Sequence, residues 1–223
     1  MDFVVAMSTV EKHVNTRLAG IFVVSMMVAL SGCASMSADE CVTSDWRGIG
    51  FDDGARGYTA GRLSQHRKAC AKHGVSPDLQ AYQEGRADGL REYCQPQRGF
   101  NLGAGGGQYN GVCAIDLEAD FLDAFRSGSQ LHTMRSNVNS TNHQINAKRH
   151  ELDDIAASMR VAEAGLIAAE TTIQDRILLL ADLKDFAERT GRLESEIEAL
   201  IQDRGVYEQQ LASYQAVLAD TGY

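Results

Sequence analysis

Gly50-Phe51-Asp52-Asp53-Gly54-Ala55-Arg56-Gly57-Tyr58 is echoed later in the chain by Gly85-Arg86-Ala87-Asp88-Gly89-Leu90-Arg91-Glu92-Tyr93, and the shared pattern is GxxDGxRxY. The second copy follows a run of helix punctuation. Gly74 stops the preceding segment, Ser76 can cap, Pro77 suits a first helical position and Asp78 complements the helix dipole. These glycines are therefore read as helical. An interior glycine costs a helix up to about 1 kcal/mol relative to alanine, so pairs four residues apart need a reason. The reason offered is a close crossing in which Gly50 with Gly54 and Gly85 with Gly89 face each other, a packing role in preference to a ligand site. A looser third echo sets Ala124-Phe125-Arg126-Ser127-Gly128 against Ala81-Tyr82-Gln83-Glu84-Gly85.

Around this core the composition is uneven. Of the 21 glycines, 14 lie between Gly48 and Gly111, with both prolines, Pro77 and Pro96. The stretch from Gln95 to Gly111 is read as a glycine-rich loop that cannot hold a shape without being tied at its ends. Arg98, Phe100 and Tyr109 make it a candidate contact surface. It has no GK[ST] and follows a helix, so no nucleotide fingerprint applies.

Beyond Gly128 the pattern becomes helical. Leu131, Val138, Ile145, Leu152, Met159, Leu166, Ile173 and Leu180 recur at every seventh position, a coiled-coil seam. A second series, Phe186, Leu193, Leu200, Tyr207 and Tyr214, runs out of phase with the first and is accompanied by Ile197, Leu211 and Leu218. Either the helix stutters or it turns back. The reading preferred is a turn near Ala181 to Asp185, with Gly191 as the other breakpoint and a long helix paired with a second protomer as the other arrangement. The fold class expected is all-α. It comprises a disulfide-stapled helical module at 41–128, a hinge at 129–140 marked by the Ser and Asn clusters, and a coiled-coil hairpin or long helix at 141–220 that opens on Thr141 and Gln144 as a capping box.

The N-terminal segment reads as a targeting signal: Lys12 and Arg17, an apolar run from Leu18 to Leu30, and then Leu30-Ser31-Gly32-Cys33. The run spans only about 20 Å as a helix, short of the roughly 30 Å hydrocarbon core, so a cleaved signal over 1–32 is preferred to a membrane span. Translation from Met7 would leave that signal intact. The tetrapeptide resembles the lipobox of bacterial lipoproteins. The resemblance implies acylation of Cys33, anchoring through acyl chains, and a short linker at 33–40. Ala34 in place of Asp implies the outer membrane, facing the periplasm, in a host with two membranes.

With Cys33 set aside, Cys41, Cys70, Cys94 and Cys113 form an even set in a compartment that permits disulfides. Three pairings are open. Cys41 with Cys70 and Cys94 with Cys113 is preferred because sequence neighbours meet most easily. A zinc reading on His66, Cys70 and His73, with Cys41 as fourth ligand, is set beside the disulfide reading, and the missing CxxC and HExxH patterns favour the latter.

Cys41, Asp45-Trp46, Gly50 to Gly54, His66 to Cys70, His73 to Asp78, Tyr82, Gly85, Gly89-Leu90, Tyr93-Cys94 and Tyr109 to Cys113 together resemble the bacterial lipoprotein family catalogued as domain of unknown function 2799. The resemblance covers roughly Cys41 to Leu131. It implies an exported helical module followed in many members by a variable coiled-coil tail, and it implies no activity. The net charge of -9 argues against nucleic acid. The expected function is that of a non-enzymatic envelope protein that meets the membrane through its anchor and a protein partner or a second copy through the coiled coil. No cofactor is expected. The alternative is a hydrolytic or envelope-component-binding protein using Asp45, Asp52, Asp53 or Asp88 as acids and His66 or His73 as bases.

Overall fold

The computed structural model describes residues 36–222, and the segment 1–32 read as a signal and Cys33 lie outside the described residues. Those residues form seven helices with no strand among them, the all-α class expected. They are α1 (Ala38–Thr43), α2 (Trp46–Ala55), α3 (Gly61–Ala71), α4 (Leu79–Tyr93), α5 (Pro96–Ala104), α6 (Ile115–Ile167) and α7 (Ile173–Thr221). The chain divides into two compact units, one containing α1 and α3, the other containing α2 and α4 to α7.

In the first unit the helices are short and closed by local chemistry. Ser37 caps α1: its hydroxyl accepts from the Glu40 N–H at 3.3 Å, and the Glu40 carboxylate accepts from the Ser37 N–H at 2.7 Å. These bonds hold the Glu40 carboxyl below its ordinary range. The cap's contribution is therefore present above the ordinary carboxylate range and is lost as pH falls through the lowered value of the folded state. A disulfide joins Cys41 of α1 to Cys70 of α3, and both cysteines are fully buried. The segment after α3 turns at Gly74 (φ 71°), where the Val75 N–H reaches back to the Cys70 carbonyl at 3.2 Å.

The second unit is built by pairwise packing of α2 on α4, α5 on α6 and α6 on α7. The first crossing is the one read from the glycine echo. A methyl placed on Gly50 would overlap the Tyr82 carbonyl oxygen, on Gly54 that of Arg86, on Gly85 that of Arg47, and on Gly89 that of Phe51. The two backbones are in van der Waals contact, and only glycine leaves room for it.

The stretch from Gln95 to Gly111 differs from its loop reading. Residues 96–104 form helix α5, with Pro96 in the first turn, and α5 packs on α6 as α2 packs on α4. Gly99 and Gly103 lie against the carbonyls of Phe121 and Phe125, and Gly128 lies against that of Phe100. Gly99 and Gly103 of the loop reading are contact residues on α6, so tertiary packing overrides propensity there.

The two helix pairs are internal copies of one another. The offset that carries Gly50 onto Gly99 also carries Gly54 onto Gly103 and Gly57 onto Gly106, so Gly-Phe-x-x-Gly-Ala-x-Gly occurs twice. The helix ends match as well. Gly57 (φ 70°) and Gly106 (φ 73°) both take the left-handed conformation, and Tyr58 and Gly107 donate to the Asp53 and Leu102 carbonyls at 3.0 and 2.9 Å. Tyr93 closes over Gly57, and His132 closes over Gly106 in the same way. Gly128 meets Phe100 and Ala104 as Gly89 meets Phe51 and Ala55, so its counterpart is Gly89 and not the Gly85 of the looser sequence echo.

The hinge expected at 129–140 is not a break, because α6 runs continuously from Ile115 to Ile167. Ser129, Thr133 and Thr141 donate their hydroxyls to the carbonyls four residues back and so stay inside the helix. Thr141 is therefore a buried interior position, not a helix start. At ~1.5 Å per residue the helix reaches about 80 Å.

The coiled coil is an antiparallel hairpin of α6 and α7. Leu131, Val138, Ile145, Leu152, Met159 and Leu166 turn inward from α6, as do Phe186, Leu193, Leu200, Tyr207 and Tyr214 from α7. Ion pairs from Lys148 to Glu196 and from Arg189 to Glu151 (2.8 Å) bind the arms. The turn lies at 168–172 and not at Ala181 to Asp185 or Gly191. Thr172 caps α7 by accepting from the Asp175 N–H at 3.2 Å, while Arg176 donates to the carbonyls of Ala168, which caps the end of α6, and of Thr171 in the turn. Ile173 and Leu180, assigned to the seam by spacing, are exposed.

Candidate functional site

The second unit concentrates its polar and aromatic chemistry around the two glycine crossings. In the first, the Tyr82 hydroxyl donates to Asp53 Oδ2 at 2.8 Å, and both residues are buried. Arg47 and Asp88 form an exposed ion pair at 2.9 Å across the same crossing, and Arg86 donates to the Tyr58 carbonyl at 2.9 Å. At the matching places of the second pair stand Leu102 for Asp53 and Phe121 for Tyr82. Leu102 packs in the cluster of Tyr93, Cys94 and Phe121. One copy thus carries a buried hydrogen bond where the other carries an apolar contact.

This contrast sets an expected outcome. Tyr82→Phe alone strips a hydrogen bond from a buried carboxylate and should cost about 2 to 3 kcal/mol. Asp53→Leu combined with Tyr82→Phe installs the side chains of the second pair and should cost clearly less than the sum of the single substitutions, with a coupling of about 1 to 2 kcal/mol. Urea unfolding of the three variants reads the coupling, and strict additivity would count against it.

The disulfide from Cys94 to Cys113 ties the end of α4 to the segment before α6. Within the enclosed stretch Tyr109 is a structural residue. Its ring lies 4.9 Å from that of Phe121, its hydroxyl accepts from the Cys113 N–H at 2.9 Å, and it donates to Glu118 at 2.9 Å. Burial pushes the hydroxyls of both Tyr109 and Tyr93 above the ordinary phenol range. The proposed contact trio therefore separates: Phe100 is buried under α7, Tyr109 is packed inward, and Arg98 alone is exposed.

Three of the four acids of the hydrolytic alternative belong to a different unit from its histidines. Asp52, Asp53 and Asp88 lie in the second, with Asp53 bonded to Tyr82 and Asp88 to Arg47. Asp45, His66 and His73 lie in the first, where the His73 Nε2 is 3.2 Å from the Met36 carbonyl. Cys70 is bonded to Cys41, so its sulfur is not a thiolate for the His66, Cys70 and His73 triad.

The sequence signal missed was the Gly-Phe-x-x-Gly-Ala-x-Gly repeat. It was hidden because its second copy lies among further glycines, where the composition suggests a loop. No curated protein and no solved structure matches the chain. Residues 45–130, the span holding both glycine crossings, match the family model described as Protein of unknown function (DUF2799), which supports for that segment the family the sequence resembles.

Proposed function

We propose that this protein is a non-enzymatic envelope lipoprotein, anchored through acyl chains on Cys33 at the outer membrane, whose crossed-helix module and hairpin arm hold a protein partner on the periplasmic side. The observation that carries the reading is the unbroken course of α6. It contributes Phe121, Ala124 and Gly128 to the module and then Ile145, Ile155 and Ala162 to the arm, so module and arm share one rod. A packed body on a long two-helix arm suits spacing and docking, because its length is fixed by hydrogen-bonded turns and its outer faces remain available. The lipobox resemblance and the stapled cysteines support an exported, oxidising setting.

The test is mass spectrometry of the membrane-extracted chain under non-reducing conditions, with fractionation of a Cys33→Ser variant. The expected result is a chain beginning at Cys33 with three acyl groups and no free thiol, and release of the variant from the outer membrane. A retained N-terminal segment, or an unchanged distribution of the variant, would overturn the reading.

A further inference from the structure

The second helix pair is covered by α7. Leu218 is buried among Phe100, Ala124 and Leu131, Leu211 and Tyr214 pack beside it, and the Tyr214 hydroxyl donates to the Ser127 carbonyl at 3.0 Å. The repeat assigns counterparts to this seat in the first pair. Phe51 and Ala55 stand for Phe100 and Ala104, Gly85 for Ala124, Asp88 for Ser127 and Glu92 for Leu131. Phe100 is 8% exposed beneath α7, whereas Phe51 is 40% exposed, and Glu92 is exposed where Leu131 is buried.

We infer that the face of the first pair centred on Phe51 and Ala55 is the docking seat for an amphipathic helix of another protein, one that presents apolar side chains at the spacing of Tyr214 and Leu218 and a lysine or arginine opposite Glu92. The chain itself supplies the precedent, since the same backbone seat in the second pair is filled by a helix with that spacing. Charge selects the partner. Glu92 in place of Leu131 disfavours a copy of the apolar Leu211 at that point and favours a cation. The exposed ring of Phe51, beside the half-buried Ala55, offers the apolar anchor on which an amphipathic helix can lie. The inference rests on the reading of this chain as a partner-holding protein, but it requires no lipid anchor, so the two fail separately.

The test uses the full oxidised chain and synthetic peptides of its own residues 204–222, with Lys or Glu replacing Leu211. The Lys peptide is expected to bind, and the Glu peptide about tenfold or more weaker. Phe51→Ala, at an exposed position, should abolish binding while leaving the helical circular dichroism unchanged. Glu92→Lys should reverse the preference between the peptides. Absence of binding at millimolar peptide, binding insensitive to Phe51→Ala, or an unreversed preference would overturn the inference. So would concentration-dependent dimerisation that Phe51→Ala removes, because the occupant would then be a second copy.

Discussion

Gly85→Ala is expected to destabilise the second unit by about 3 kcal/mol or more, although alanine is the better helix former by about 1 kcal/mol. The added methyl would overlap the carbonyl oxygen of Arg47 and approach the backbone of Phe51. Backbone atoms of a packed helix cannot rotate away as a side chain does, so α2 and α4 must separate. Separation would strain the buried bond between Tyr82 and Asp53 and thin the contact along the whole crossing. The control is Gly191→Ala on α7, where nothing lies within 4 Å of an added methyl. There the helix preference acts alone and should stabilise by about 0.5 to 1 kcal/mol. Urea midpoints of the two variants should move in opposite directions. A neutral Gly85→Ala would mean that the helices do not touch through their backbones.

The second large effect concerns the disulfide from Cys41 to Cys70. Helices α1 and α3 have 6 and 11 residues, below the roughly 12 to 15 that hold together alone in water. The bridge closes a sequence separation of 29, a constraint of about 3 to 4 kcal/mol in the chain-entropy model. Replacing both cysteines by alanine should therefore unfold the first unit locally. Hydrogen exchange should show protection lost across 36–45 and 60–78 and kept in α6 and α7, whose hairpin is independent of that bridge. Retained protection in α3 would show that packing, not the bridge, holds it.

Much of this architecture was legible because two periodicities survive in the sequence. The heptads of Leu131 to Leu166 and of Phe186 to Tyr214 identify the inward faces without further information. The turn was not legible by the same route. Ile173 and Leu180 continue the seven-residue spacing, yet they follow a turn at 168–172 that contains neither glycine nor proline. Its signal was the Thr172-x-x-Asp175 cap, short and easily overlooked inside an apolar stretch. The expected hinge failed for a related reason. Gly128 and the Ser and Asn residues after it weaken a helix in isolation, but Gly128 is held at a crossing, and the hydroxyls bond back to their own helix.

The glycine echo had a mixed outcome for an instructive reason. Gly50, Gly54, Gly85 and Gly89 do face one another, so the contact was readable from spacing. Their resemblance reflects the mutual needs of two partners at one crossing. The repeat is between α2 and α5 and between α4 and α6, where Phe121 stands for Tyr82 and Leu102 for Asp53. Those differences change polarity, which lowers sequence identity while leaving the backbone contact intact.

The most direct test of the account is the continuity of α6 through the expected hinge. Nitroxide labels at Arg126→Cys and Gln144→Cys flank that segment on one side of the helix, and electron–electron resonance would measure their separation. A continuous helix predicts a single narrow distribution near 27 Å, at ~1.5 Å per residue. A broad or shorter distribution would mean that the chain bends between module and arm, and the shared rod on which the proposed function rests would not exist.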